Sequence, residues 1–174
     1  YGSFAQNGFN AILGPQPSDG FPGFFNGNNA TLFFHGISGS TISAPALNLN
    51  TNTVTIAAWI NPAGAEASLN TLVFSRGGGT VAGLRYGSGL DSAGNRTLGY
   101  AWNDEAGPAN WNSLLAPPQN QWSFVALVVT PTNATIYVIN ANGLASTSQS
   151  YIHVPQSFSA STWIGDDANS GGVI

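Results

Sequence analysis

Residues 121–140 read QWSFVALVVTPTNATIYVIN. Trp122 to Val129 is rich in β-branched and aromatic residues, Ile136 to Ile139 repeats that character, and Pro131, Thr132 and Asn133 between them supply turn chemistry. The stretch is predicted to be a β-hairpin. Side chains alternate across a strand, which turns Trp122, Phe124, Ala126 and Val128 to one face and Val125, Leu127 and Val129 to the other. Both faces are apolar, whereas a strand with one wet face alternates apolar with polar. The hairpin is therefore expected to be covered on both sides, by another part of the chain or by another subunit.

Working outward, Thr53 to Asn61 (TVTIAAWIN) reads as a strand that Pro62 stops. Thr71 to Arg76 and Thr80 to Tyr86 flank Gly77-Gly78-Gly79 and read as a second hairpin, because glycine admits the positive φ of a tight reversal. Arg96 to Trp102 (RTLGYAW) sets Leu98, Tyr100 and Trp102 on one face and Thr97, Gly99 and Ala101 on the other. Shorter strands are expected at Thr31 to His35, Tyr151 to Pro155 and Phe158 to Gly165. Tyr1 to Asn29 is broken by Gly and Pro into loops, and Asn103 to Asn120 reads as a long polar loop carrying Trp111 and Pro117-Pro118. Short strands punctuated by turns, with no amphipathic helix, mean one all-β domain: an antiparallel β-sandwich in which two sheets give every strand a buried face.

Charged residues make up only 6% of the chain, against roughly 25% in ordinary globular domains, so the surface is built of Asn, Ser, Thr, Gln and Gly. There is no lysine, the basic residues are Arg76, Arg85 and Arg96, and the net charge is −4. A phosphate backbone is bound by clustered Lys and Arg, so nucleic acid is excluded as a partner, and the same scarcity argues against anionic membrane surfaces. No apolar run approaches the roughly 20 residues that cross a bilayer. Cysteine is absent, which removes disulfides, thiolate metal sites and cysteine nucleophiles. Few sites remain for proteases that cut after basic residues, which suits an extracellular, secreted chain. Tyr1 is no initiator and methionine is absent, so the sequence reads as a mature or excised piece of a precursor.

At TVTIAAWINP, then NQWSFVALVVTPTNATIYVINANG, then STWIGDD, the order and spacing resemble the laminin-G-like domains of the concanavalin A-like jelly-roll superfamily. The strand types "v-T-i-x-a-W-v-x-P", "W-x-x-v-a-x-v", "x-i-Y-v-N-G" and "i-G" fall on Val54 to Pro62, Trp122 to Val128, Thr135 to Gly143 and Trp163 to Asp167. The resemblance implies a jelly-roll sandwich over residues 1–174, acting as a secreted adhesion or recognition module that binds a glycan or an extracellular protein. A family-typical closing strand after Asp167 is missing, which opens a second reading: a subunit that associates with copies of itself into a filament, with Tyr1 to Phe9 or Ser170 to Ile174 reaching a neighbour and Val125, Leu127, Tyr137 or Ile139 in a layer beyond the main core.

Glucanases of that superfamily place closely spaced acidic residues on one strand. Here Asp104 and Glu105 are adjacent, which sends strand side chains to opposite faces, and Glu66 stands alone, so no catalytic role is assigned. His35 and His153 have no triad or metal-cluster partners and read as packed or edge histidines. Asp166 and Asp167 stand where some laminin-G-like domains hold calcium. With Asp104 and Asn169 they form the candidate calcium site, though such a turn can equally satisfy its own backbone. Trp111, flanked by Asn110 and Asn112 in a polar loop, is the candidate sugar-stacking ring, with Trp102 at the end of the preceding strand; alternatively the ring simply pins its loop.

Overall fold

The computed structural model describes residues 3–4, 9–27, 31–33, 41–64, 70–77, 79–103 and 110–165, and side chains from residue 13 onward except those of 31–33. Its strands are, in chain order, β1 (Ser3–Phe4), β2 (Phe9–Ile12), β3 (Thr31–Phe33), β4 (Ile42–Ala44), β5 (Val54–Ile60), β6 (Asn70–Gly77), β7 (Thr80–Leu90), β8 (Arg96–Trp102), β9 (Asn110–Asn112), β10 (Ser123–Thr130), β11 (Asn133–Asn140), β12 (Gly143–Ser150) and β13 (Thr162–Ile164). They form a seven-stranded sheet, β1-β4-β13-β6-β7-β8-β9, a four-stranded sheet, β12-β11-β10-β5, and the pair β2-β3. Helical structure among the described residues is one 3-10 turn, Pro17–Asp19. The fold is the all-β antiparallel sandwich that the strand spacing predicts.

The hairpin at its centre is β10-β11, paired without a break from Thr130↔Asn133 to Phe124↔Ile139. Val125, Leu127 and Val129 point inward with Ala134, Ile136 and Val138, and meet Leu84, Tyr86, Leu98, Tyr100 and Trp102 of the large sheet. Burying each Leu or Val there contributes about 1.5–3 kcal/mol, which makes this layer the main source of stability. Val125 and Leu127 thus belong to the main core, and only Tyr137 and Ile139 of the four residues expected beyond it face outward. On the second face, Phe124 lies against Trp59 (5.3 Å between ring centroids), and Phe21 and Phe24 meet the same indole edge-on at 4.5 and 5.0 Å. Part of the cover expected over the hairpin is therefore supplied by this chain's own residues.

Three local readings are corrected. Asn103 to Asn120 is not all loop, because Asn110–Asn112 pairs with β8 as the edge of the large sheet. Tyr151 to Pro155 is not a strand. It is a connector docked across the end of the central hairpin, where Tyr151 N donates to Thr132 O (3.1 Å) and His153 N to Pro131 O (2.8 Å). Of Phe158 to Gly165, only Thr162–Ile164 is strand, inserted between β4 and β6. Ser170 to Ile174 lies outside the described residues, as does His35.

Candidate functional site

Register settles which side chains share a face. Leu84 pairs with Tyr100 and Tyr100 with Trp111, all turned to the core. Side chains one residue away point to the opposite side, so Phe74, Arg85, Thr97, Asn110 and Asn112 occupy the face of the large sheet turned away from the small one. Gly83 and Gly99 lie in the same rows, Gly83 between Phe74 and Ala101, Gly99 between Arg85 and Asn112. Small residues there leave space for long ones to lie flat. The Phe74 ring uses the space over Gly83, and the Arg85 guanidinium stacks on that ring, with Cζ 4.9 Å from its centroid and Nη1 donating to Asn110 Oδ1 at 3.0 Å. Arg76 approaches the same ring, 5.1 Å from its centroid.

Asn112 is fixed in a parallel way. Its Oδ1 accepts from Thr97 Oγ1 (2.7 Å) and from Leu114 N (3.0 Å), while its amide nitrogen rests over Gly89, where a Cβ would displace it. Both asparagines on β9 therefore have their oxygens committed within the protein. With the oxygens spent, amide N–H is what the two side chains have left to donate, from positions two apart on one strand, about 7 Å along it. Asn110 is exposed and Asn112 half-buried. The face is thus a small asparagine-bearing edge backed by an arginine stacked on Phe74.

The two tryptophans predicted to bind sugar are placed otherwise. Trp102 is fully buried, and its Nε1 donates to Val154 O at 2.8 Å. Trp111 is half-buried, packs against the core and meets Tyr100 edge-on at 6.0 Å. Its ring lies on the side of the sheet opposite Asn110 and Asn112. Replacing Trp111 with Ala is expected to lower stability by about 2 kcal/mol, below the 3–5 kcal/mol of a fully buried aromatic because half the ring is already wet. Thermal unfolding followed by calorimetry should show a drop of roughly 5 °C; an unmoved midpoint would return the ring to the ligand.

A model described as the concanavalin A-like lectin/glucanases superfamily matches residues 35–173. The chain belongs to that superfamily. Among solved structures, this concanavalin A-like domain resembles Domain 4 of AbnA, a GH43 extracellular arabinanase from Geobacillus stearothermophilus, with a TM-score of 0.52 and 16% identity over 79% of this chain and 63% of that one. It also resembles the enzymatically active domain of bacteriophage CBA120 tailspike protein 2, with a TM-score of 0.51 and 15% identity over 76% of this chain and 22% of that one. At such identities the likeness is one of fold, and this chain spans less than two thirds of either. No curated protein matches it in sequence.

Asp104, Asp166, Asp167 and Asn169 lie outside the described residues, as do Glu66 and Glu105. Among the described residues no group of three or more His, Cys, Asp or Glu side chains gathers. Asp91 serves its own turn, accepting from Ala93 N, Asn95 N and Asn95 Nδ2 at 2.8–3.0 Å, and the Asn95 bonds hold its carboxyl below the usual range.

Among the described residues of this concanavalin A-like domain, a histidine sits inside the sandwich beside a buried tyrosine. His153 is 2% exposed, with Nδ1 2.8 Å from Thr130 O and Nε2 2.9 Å from the Tyr100 hydroxyl. A carbonyl only accepts, so Nδ1 carries the proton and neutral Nε2 accepts from Tyr100. Burial lowers the imidazole pKa and raises that of Tyr100, with Tyr151 adding to the latter. The unfolded chain therefore binds the His153 proton at a higher pH than the folded one. Stability is at its full value above the unfolded pKa of about 6.5 and falls as pH drops below it, at most about 1.4 kcal/mol per pH unit for one proton. Urea midpoints between pH 7.5 and 5 should fall for the native chain and stay flatter for His153→Gln; parallel profiles would exclude His153 as the source.

Proposed function

We propose that this chain is a non-enzymatic carbohydrate-recognition domain that works outside the cell and binds a neutral saccharide along β9. The observation that carries this is the pair Asn110 and Asn112 on one face of β9, whose oxygens are occupied by Arg85, Thr97 and Leu114, which leaves their amide N–H groups as the donors. Sugar hydroxyls accept from such donors without bringing a charge to balance, which suits a chain with 6% charged residues. Domain 4 of the arabinanase, similar in fold, is a structure in complex with arabinotriose, which supports the substrate class. Catalysis is left out because the sequence lacks the closely spaced carboxylates of glycoside cleavage. An extracellular place follows from the same reasoning as the scarcity of Lys and Arg.

Asn→Asp exchange tests the reading cleanly. Asn110→Asp and Asn112→Asp keep the acceptor oxygens that Arg85, Thr97 and Leu114 use, and replace each amide NH2 donor by a charged acceptor oxygen. Each lost hydrogen bond is worth about 1 kcal/mol, so the double variant should bind at least tenfold more weakly, with its melting temperature nearly unchanged. Titration calorimetry with neutral oligosaccharides, arabinotriose among them, reads this directly. Undiminished binding by the double variant would move the site elsewhere.

A further inference from the structure

The edge of the small sheet is built unlike the other edges. β12 runs for eight residues, GLASTSQS, paired with β11 from Asn133↔Ser150 to Asn140↔Gly143 without a bulge. Among the described residues no strand lies beyond it. Alternate residues of an antiparallel strand turn N–H and C=O away from the partner, so within Leu144 to Ser148 every second backbone group points to the open side. Proteins normally blunt such an edge with charge, proline, a bulge or brevity. The large sheet uses brevity at β1 and β9, and Pro62 follows β5 closely. β12 has none of these devices.

The outer face beside it is equally bare of charge. Its cross-strand rows are Trp59–Phe124–Ile139–Leu144, Ala57–Ala126–Tyr137–Ser146 and Thr55–Val128–Thr135–Ser148. No Lys, Arg, Asp or Glu stands in any of them. Ile139 is 37% and Leu144 64% exposed, so an apolar stripe reaches the open edge.

We propose that β12 pairs antiparallel with β12 of a second copy, joining two four-stranded sheets into one continuous sheet across a two-fold axis. A second copy is the occupant because a strand meeting itself antiparallel is its own complement: each outward N–H faces an outward C=O at the symmetry-related position. No side-chain charge at the seam opposes the approach, and each copy carries a net charge of only −4. The pairing also carries the apolar stripe across the seam. β9 lies on the other sheet and stays open.

The test uses the full chain in sedimentation velocity from about 1 to about 500 μM, a span that brackets weak-dimer dissociation constants, with amide hydrogen exchange at both ends of the range. The expected result is a concentration-dependent dimer in which β12 amides that exchange quickly when dilute become protected when concentrated. Ser146→Lys combined with Ser148→Lys should place like charges across the seam and give a monomer that still binds saccharide, with the melting temperature lowered only by the loss of the exposed Ser148–Thr135 hydroxyl bond. Adjacent proline variants provide the second arm. Of Ser146→Pro and Thr147→Pro, one removes a β11 hydrogen bond and lowers the melting temperature, while the other removes only an outward N–H and should abolish the dimer without that loss. A chain that stays monomeric throughout, as it would if a foreign strand or a polysaccharide is the true occupant of this edge, overturns the proposal. So does a dimer that survives the lysine pair.

Discussion

Trp102→Ala is expected to destabilise the chain by about 4 kcal/mol, within the 3–5 kcal/mol typical of removing a buried aromatic. The indole is fully buried, at the end of β8 where the sandwich meets the connector 151–158. It contacts that connector three ways: Nε1 donates to Val154 O at 2.8 Å, the ring meets His153 at 5.4 Å, and it meets Phe158 at 6.1 Å. Truncation opens a cavity, leaves the Val154 carbonyl with only the long 3.5 Å bond from Gln156 Nε2 and loosens the segment that carries His153. For a chain of this size the midpoint should fall by roughly 10 °C. Trp102→Phe fills most of the volume and loses mainly the N–H, so it should cost about 1–2 kcal/mol. A Trp102→Ala variant that melts like the native chain but no longer binds saccharide would restore the ring to the ligand site, against its burial.

The elements that the sequence made legible are those with strong apolar or turn chemistry. The β10-β11 hairpin announces itself because Val125, Leu127, Ile136 and Val138 are β-branched or branched residues bracketing Pro131, and β8 was readable residue for residue from RTLGYAW. β12 was invisible for the opposite reason. Apart from Leu144, GLASTSQS is small or polar on both faces, as an exposed edge allows, so it carries no periodic signal. Tyr151 to Pro155 misled because its apolar residues look strand-like, whereas its backbone donors are spent on the carbonyls of Pro131 and Thr132. The site was half legible. Asn110 and Asn112 were singled out with the ring between them, yet a three-residue strand cannot show its parity, and parity is what sends Trp111 to the core and the asparagines outward. Arg85 was missed altogether. Its signal was available: an arginine among the apolar residues of TVAGLRY needs a buried partner, and its alternation with Gly83 hints at the space it uses.

Gly83→Ala should be nearly as damaging, although it adds only a methyl group. The new Cβ would run into the Phe74 ring and Val73 O, and would stand 2.7 Å from Phe74 Cα. Two of these obstacles are backbone, so no side-chain rotation relieves them, and β6 must move from β7 or Phe74 must leave its place. Phe74 is fully buried and carries Arg76 and Arg85 on its ring. Overpacking with the lost stacking should cost about 3 kcal/mol. Because Arg85 also holds Asn110 Oδ1, saccharide affinity should fall with stability, which a remote core defect of equal size would not produce. Gly143→Ala is the matched control: its φ of 111° disfavours a side chain, but nothing lies within 4 Å of the added Cβ, so backbone strain alone should cost about 1 kcal/mol and leave binding intact. Urea unfolding and saccharide titration of the two variants give the ordering. If Gly83→Ala proves the milder of the two, Phe74 and Arg85 do not pack across that row, and the orientation of Asn110 on which the proposed binding site rests is lost with them.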